Sequence, residues 1–209
     1  MMIKLSRLLP VITLFASLLF ISACSKTPQI SSLDSDATIL AFGDSLTYGT
    51  GAGEAESYPA ELARLTGRRV VNAGIPGEVS AAGLKRLPQL LDRENPSLLI
   101  LCHGGNDLLG RLDSASIADN LRAMIRLALD RKISVLLVAV PLPELTLKPP
   151  VFYEELSKEF NIPIELNALS RILGKGALKS DYIHPNAKGY SILAEAIEKQ
   201  LKNSGALKR

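Results

Sequence analysis

Ala41-Phe42-Gly43-Asp44-Ser45-Leu46-Thr47-Tyr48-Gly49 is the stretch that decides the fold of this chain. The apolar run at 37–42 predicts a short buried strand. Gly, Thr and Ser residues and then a helical pattern follow, so Ser45 is expected on the turn at the carboxyl end of that strand. A serine placed there has an exposed hydroxyl and a backbone N–H directed toward the same crevice. The stretch alone leaves two interpretations open, a catalytic nucleophile and an ordinary helix cap.

The first residues have the pattern of an export signal. Lys4 and Arg7 precede an uncharged, mostly apolar run from Leu8 to Ala23, which is short for a spanning helix and typical of a secretory signal. The run ends in Ile21-Ser22-Ala23-Cys24, which resembles the lipobox of bacterial lipoprotein signals. That resemblance implies that residues 1–23 are removed and that Cys24 carries a lipid. The alternative is an ordinary signal peptide or a short anchor, with Cys24 incidental.

The rest of the chain is long enough for one α/β domain. Residues 24–36 are polar and predict a tether outside the core, so the expected domain spans 37–209. The formal net charge of the whole chain is +3, and no basic run is present, so nucleic acid is not an expected partner. Cys102 lies in an apolar run and is expected to be buried. With two His residues and no Cys cluster, no metal-ligand spacing stands out.

Strand and helix patterns alternate after residue 37. The strands are predicted at 37–42, 69–72, 97–102, 133–140 and 162–166. The helices are predicted at 58–66, 80–93, 114–131, 151–160, 168–173 and in a last segment around 190–201. Ser80 is expected to cap its helix, and Pro88 to kink or break it. This alternation predicts right-handed crossovers and a parallel sheet covered on both faces, a three-layer α/β/α sandwich.

Polar residues suited to acyl transfer follow the predicted strands. Ser45 follows the first strand, Gly74 the second and Asn106 the third, and all parallel strands deliver their carboxyl ends to one edge. Asp181 and His184 lie in the loop ahead of the last helix, which can return to that edge. A serine nucleophile needs a base, and a carboxylate three residues away can fix the tautomer of an imidazole. The N–H groups of Ser45 and Gly74 and the Asn106 amide can supply an oxyanion hole.

Four sequence blocks together resemble the SGNH (GDSL) hydrolases. They are Gly43-Asp44-Ser45-Leu46, Gly74 in Asn-Ala-Gly, Gly104-Gly105-Asn106-Asp107 and Asp181-Tyr182-Ile183-His184-Pro185. The match is greatest to the bacterial arylesterases, acyl thioesterases and lysophospholipases. The resemblance implies a flavodoxin-like sheet of about five strands without a metal or organic cofactor. It also implies that Ser45 is the nucleophile, His184 the base and Asp181 its orienting partner, with Ser45, Gly74 and Asn106 as the oxyanion hole.

Several nearby residues have plainer interpretations. Asp44 is expected to hold the turn rather than to serve as the triad acid, and Asp107 to brace its loop. His103 departs from the family pattern, in which an apolar residue is usual, and is expected to bond locally rather than act as the base. Tyr182 stands where Gly is common. Tyr48 and the proline-rich 141–150 loop are expected to line the acyl pocket.

The sequence thus predicts a serine esterase that acts on small carboxylic ester or thioester substrates. A carbohydrate O-acetylesterase of the cell wall or surface glycan is the alternative within the enzyme class. A non-catalytic envelope lipoprotein is the alternative outside it, although no triad or oxyanion residue is missing. The protein is expected to be exported to the bacterial cell envelope and held on a membrane through lipid on Cys24. The sequence leaves its oligomeric state open.

Overall fold

The computed structural model describes residues 27–208. Within this range strands and helices alternate, as predicted. The strands are β1 (Thr38–Gly43), β2 (Arg69–Gly74), β3 (Leu98–Cys102), β4 (Ser134–Val138) and β5 (Ile164–Glu165). The helices are α1 (Ser45–Tyr48), α2 (Tyr58–Thr66), α3 (Ser80–Glu94), α4 (Gly105–Leu109), α5 (Ser114–Asp130), α6 (Phe152–Phe160), α7 (Ala168–Leu173) and α8 (Ala187–Asn203).

The five strands form one parallel sheet in the order β2-β1-β3-β4-β5. The chain passes from β1 to β2 on one side, and then crosses back to place β3 on the other side of β1. Strand order therefore reverses at β1, and in sheets of this kind ligands bind at the carboxyl ends beside the reversal. Gly43 at the end of β1 pairs with Gly74 on β2 and with Cys102 on β3. The register thus brings these three strand ends level.

Two helical layers cover the sheet. Because crossovers between parallel strands are right-handed, α2, which leads from β1 to β2, lies on the face opposite to the helices that lead the other way. Accordingly α2 packs against α8, whereas α3 packs against α5, and α5 against α6. Every residue of the central strand β3 is buried, as a strand covered on both faces requires. The predicted three-layer α/β/α sandwich with a five-stranded parallel sheet is confirmed.

Helix α3 differs from the prediction in two respects. Val79 occupies the cap position expected for Ser80. The reason is that the hydroxyl and the N–H of Ser80 both donate to the buried carboxylate of Asp107, at 2.6 and 2.8 Å. The helix also continues through Pro88. Leu87 beside the proline is fully buried, so packing of this face offsets the backbone hydrogen bond that proline removes.

Residues 27–36, here called the N-terminal strap, differ from the predicted tether at 24–36. The N–H groups of Ile30 and Leu33 donate, at 2.8 and 2.9 Å, to main-chain carbonyls at and just beyond the end of α8. Both side chains are buried in the hydrophobic core. The described part of this segment is therefore packed on the domain, because two apolar residues among many polar ones suffice to anchor it.

The strap crosses the amino-terminal edge of the sheet. Residues 31–33 lie beside the residues that lead into β3 and β4. The strap then enters β1 after a turn in which the N–H of Ala37 donates to the carbonyl of Asp34. The edge that the strap crosses is opposite to the edge at which Ser45 follows β1.

The predicted signal peptide, residues 1–23, and the predicted lipid site Cys24 lie outside the described residues and stay predictions. Between residues 27 and 208, no helix is long and apolar enough to cross a membrane.

Candidate active site

Ser45 begins α1 directly after β1. The preceding residue, Asp44, caps this helix, because its Oδ1 accepts a hydrogen bond from the N–H of Leu46 at 3.0 Å. Gly43 is required before it, since a Cβ atom there would lie 1.9 Å from the carbonyl oxygen of Cys102 on the neighbouring strand. The local sequence Gly-Asp-Ser therefore permits close strand packing, starts the helix and leaves Ser45 at the carboxyl edge of the sheet.

The structure brings Ser45, His184 and Asp181 into one hydrogen-bonded series. Nε2 of His184 lies 2.9 Å from Oγ of Ser45, and Nδ1 lies 2.8 Å from Oδ2 of Asp181. Oδ1 of Asp181 accepts two further bonds at 2.8 Å, from the N–H groups of Ile183 and His184. A carboxylate at Nδ1 fixes the proton on that nitrogen, which leaves Nε2 free to accept a proton from the serine hydroxyl.

The carboxyl group of Asp181 is held in its charged form. Partial desolvation raises its pKa, but the hydrogen bonds from the His184 ring and from the N–H groups of Ile183 and His184 outweigh that effect. The pKa of Asp181 consequently lies below its usual value. An ionised Asp181 is the form that can accept a bond from Nδ1 and stabilise an imidazolium.

The loop at 181–184 is fixed on both sides. A short antiparallel bridge joins Lys179 to Pro185. Immediately after it, Asn186 caps α8, because its Oδ1 accepts from the N–H of Gly189 at 3.0 Å. The start of a long buried helix therefore determines where His184 stands.

The three expected oxyanion donors are not equally placed. Asn106, on α4, lines the same pocket as Ser45 and His184. Gly74 lies against the end of α1, since a Cβ on it would be 2.1 Å from the backbone nitrogen of Tyr48. It lines a separate depression beside Tyr48.

Two of these donors also have protein partners. The Gly74 N–H donates to Oδ1 of Asn72 at 3.0 Å. One N–H of the Asn106 amide donates to the main-chain carbonyl of Glu78 at 2.9 Å. Because a side-chain amide has two N–H donors, the second one on Asn106 remains for a ligand.

A mostly apolar pocket opens beside Ser45 and His184. Its lining includes Leu46, Leu109, Val140, Pro141, Leu142, Pro143, Leu147, Leu173, Tyr182 and Ile183. The expectation that the 141–150 loop lines the pocket is confirmed. Tyr48 was expected in the same lining, but it faces the separate depression near Gly74 instead. Leu109 and Leu173 were not singled out from the sequence, because each looks like an ordinary helix residue.

Three residues with plainer interpretations have structural roles. Asp44, the cap of α1, is fully buried, and burial raises the pKa of its carboxyl. His103 is also fully buried, and its Nε2 lies 3.2 Å from Oε2 of Glu78. Asp107 accepts both bonds from Ser80 described above. The local roles expected for all three are confirmed. In the described part of the chain, no group of three or more His, Cys, Asp or Glu residues is arranged to hold a metal ion.

The α/β/α fold and the hydrogen-bonded series of Ser45, His184 and Asp181 at the edge of the sheet are typical of serine hydrolases. Residues 41–192 match the model of the GDSL-like Lipase/Acylhydrolase family. The chain belongs to this family and is an ester-hydrolysing enzyme. The resemblance to the SGNH (GDSL) hydrolases is thereby confirmed.

Similar proteins agree with this assignment. The chain is 31% identical to Esterase TesA of Pseudomonas aeruginosa over 199 residues, which cover 88% of this chain and 97% of the relative. It is 30% identical to Thioesterase 1/protease 1/lysophospholipase L1 of Escherichia coli (strain K12) over 173 residues, which cover 79% of this chain and 83% of the relative. The crystal structure of TesA superposes with a TM-score of 0.71 at 30% identity, covering 79% of this chain and 98% of the other.

Proposed function

We propose that the protein is a serine esterase in which Ser45 is the nucleophile, His184 the general base and Asp181 its orienting residue. The observation that carries this proposal is the continuous series from Ser45 Oγ through both ring nitrogens of His184 to Asp181, with contacts of 2.9 and 2.8 Å. A nucleophile within hydrogen-bond reach of a base that is oriented by a third group is the geometry of covalent acyl transfer.

The reaction follows from this geometry. His184 Nε2 takes the hydroxyl proton as Ser45 Oγ attacks the substrate carbonyl carbon, which gives a tetrahedral intermediate. His184 then returns the proton to the leaving oxygen or sulfur, the bond to the leaving group breaks, and an acyl-Ser45 ester remains. A water molecule, deprotonated by the same nitrogen, hydrolyses this ester and restores the free serine.

The negative charge that develops on the carbonyl oxygen requires donors. The N–H groups of Ser45 and Gly74 and the free N–H of Asn106 are proposed to supply them. The Gly74 N–H is shared with Asn72 when no substrate is bound. An oxyanion is a stronger acceptor than a neutral amide oxygen, so the Gly74 N–H is expected to donate to the intermediate in place of Asn72.

The acyl group of a carboxylic ester or thioester is proposed to occupy the apolar pocket. Its lining contributes far more apolar than polar groups, which favours a hydrocarbon chain over a sugar. The similar proteins named esterase, thioesterase and lysophospholipase support this substrate class. The alternative, an O-acetylesterase acting on glycan, gains no support from the pocket, since its mostly apolar lining offers few polar groups to bind a sugar.

The site is further proposed to work outside the cytoplasm, in the cell envelope. Support for this location comes from the signal-like pattern at 1–23 and from the lipobox-like sequence that ends in Cys24. Lipid on Cys24 would tie the enzyme to a membrane.

The test combines labelling with a substrate panel. An organophosphonate is expected to label Ser45 and no other residue, detected by peptide mass spectrometry. Activity on p-nitrophenyl esters and acyl thioesters of graded chain length is expected to rise beyond acetyl. The variant Ser45→Ala should lose both label and turnover, whereas the matched control Ser191→Ala on α8 should keep both. Turnover by purified Ser45→Ala above a few per cent of wild type would refute the assignment.

A further inference from the structure

An enclosed charged cluster lies beside the proposed oxyanion hole. Glu78 lies in the loop between β2 and α3, and its side chain is only 7% exposed. Nε of Arg86 donates to its Oε1 at 2.9 Å, and the Arg86 terminal amino group donates to its Oε2 at 2.6 Å. The fully buried His103, the residue directly after β3, contacts the same Oε2 at 3.2 Å. We call Glu78, Arg86 and His103 the Glu78 cluster.

The hydrogen bonds of His103 define its role in this cluster. Its Nδ1 accepts from the N–H of Gly104 at 2.9 Å, so the ring proton is on Nε2 and is donated to Glu78. The bonds from His103 and Arg86 outweigh the desolvation of Glu78, and the pKa of this carboxyl falls to about 2. Glu78 is therefore ionised at neutral pH and fully engaged with its two partners.

The Glu78 cluster is connected to two of the proposed oxyanion donors. The main-chain carbonyl of Glu78 accepts the hydrogen bond of the Asn106 amide at 2.9 Å. Arg86 also donates to the carbonyl of Ala73 at 3.0 Å, one residue before Gly74. The same three side chains thus bind the loop that orients Asn106 and the strand end that carries Gly74.

The guanidinium of Arg86 is itself held in place. It lies 4.3 Å from the ring centroid of Phe42 on β1, a cation–π distance. Gly83 on α3 allows the helix to approach, because a Cβ there would be 2.4 Å from Nε2 of His103. The cluster is therefore packed between β1, β3 and α3, and its members have little freedom to rearrange.

We propose that Glu78 is a positioning residue for the oxyanion hole, which acts with Arg86 and His103 by fixing the directions of the Asn106 and Gly74 donors. This inference rests on the function proposed above. Donors of this kind act where charge develops in the transition state, and not on the neutral ground-state carbonyl. Loosening them consequently lowers kcat while KM stays nearly constant.

Glu78→Gln is the direct test, because it keeps the size of the side chain and removes its charge. Glutamine has one acceptor oxygen, whereas Arg86 and His103 share the two carboxylate oxygens of Glu78 in the wild type. A small misplacement of reacting groups costs on the order of 10²-fold in rate, so kcat for a p-nitrophenyl ester should fall roughly 10- to 100-fold, with KM changed less than about twofold. Glu94→Gln is the matched control. Glu94 pairs with Arg69 and Arg93, away from the site, and its loss should leave both constants unchanged.

A double-mutant cycle separates positioning from general stability. In an Asn106→Ala background the loss caused by Glu78→Gln should shrink markedly, since residues that act through one another are not additive. Arg86→Lys is a second variant that keeps the charge and removes the two-pronged contact. It should lower kcat in the same way, so the inference stays testable if Glu78→Gln does not fold.

The outcomes distinguish this inference from the proposed function. An unchanged kcat in folded Glu78→Gln or Arg86→Lys would overturn the inference, as would an equal effect with and without Asn106. Both results leave esterase function intact if the wild type turns over and Ser45→Ala does not. A wild type that hydrolyses no ester and takes no phosphonate label would instead refute the proposed function.

Discussion

The substitution Asp181→Asn tests how the His184 ring is oriented. The asparagine oxygen can keep accepting from the N–H groups of Ile183 and His184, which now lie 2.8 Å from Oδ1. Its amino group then faces Nδ1 of His184, where Oδ2 lies at 2.8 Å in the wild type. An amino group donates, so the ring must present a bare Nδ1 and carry its proton on Nε2. In that tautomer the ring cannot accept the proton of Ser45.

The expected loss is large, because the wrong tautomer removes the base without disturbing the fold. A comparable substitution in serine proteases lowers kcat by about 10⁴-fold, equivalent to about 5.5 kcal/mol of transition-state stabilisation. We expect a loss of this order in kcat, with little change in KM. Asp181→Ala should lose less, since it permits either tautomer. The assay is steady-state hydrolysis of a p-nitrophenyl ester near neutral pH.

The matched control is Asp119→Asn on the exposed side of α5, which should match the wild type. Far-ultraviolet circular dichroism should be the same for all of these proteins. If Asp181→Asn keeps more than a tenth of the wild-type kcat, or if Asp181→Ala is the slower of the two, the tautomer argument is refuted.

Four further outcomes are expected. Asn106→Ala should lose about 10²–10³ in kcat, the usual effect of one oxyanion donor, and an unchanged kcat would mean that Asn106 only braces its loop. Glu78→Gln should lower the free energy of unfolding. The pKa of Glu78 in the folded protein is depressed to about 2, so part of this loss of stability depends on the charge of Glu78 and amounts to about 3 kcal/mol at most. This part should be complete above pH 4.5 and should vanish as the pH falls toward 2. Urea denaturation measures it, and a constant deficit would contradict the ion-pair explanation. Leu33→Ala should lower the free energy of unfolding by about 2–5 kcal/mol without changing kcat, and lost activity in the folded variant would contradict the placement of the strap away from the site. Mass spectrometry of the mature N-terminus should find lipid on Cys24, and cleavage elsewhere would refute the lipoprotein hypothesis.

The sheet could be predicted from local signals joined by one topological rule. The series of Ser45, His184 and Asp181 could be predicted from their positions along the chain together with the resemblance of four sequence blocks to the SGNH (GDSL) hydrolases. Apolar runs with helices between them predict parallel strands, and parallel strands bring their carboxyl ends to one edge. The spacing of Asp181 and His184 needs only a short loop. These inferences do not require knowledge of which side chains pack together.

The remaining features depend on contacts between distant residues. Nothing near Ser80 in the sequence indicates that Asp107 holds it, and so its role as a cap was wrongly predicted. The N-terminal strap has too few apolar residues to show a period. Glu78 stands in a turn-rich loop and looks like an ordinary exposed acid until Arg86 and His103 are brought to it.

The path of the N-terminal strap determines where a tag or support can be coupled without covering the pocket. β1 runs from the edge that the strap crosses to the edge that carries the pocket, and a strand rises about 3.3 Å per residue. The strap and the mouth of the pocket are therefore separated by about the length of β1. Residues 30–33 are therefore fixed at the edge of the sheet that lies away from the pocket. A tag or support coupled directly to the strap would accordingly leave the mouth of the pocket uncovered.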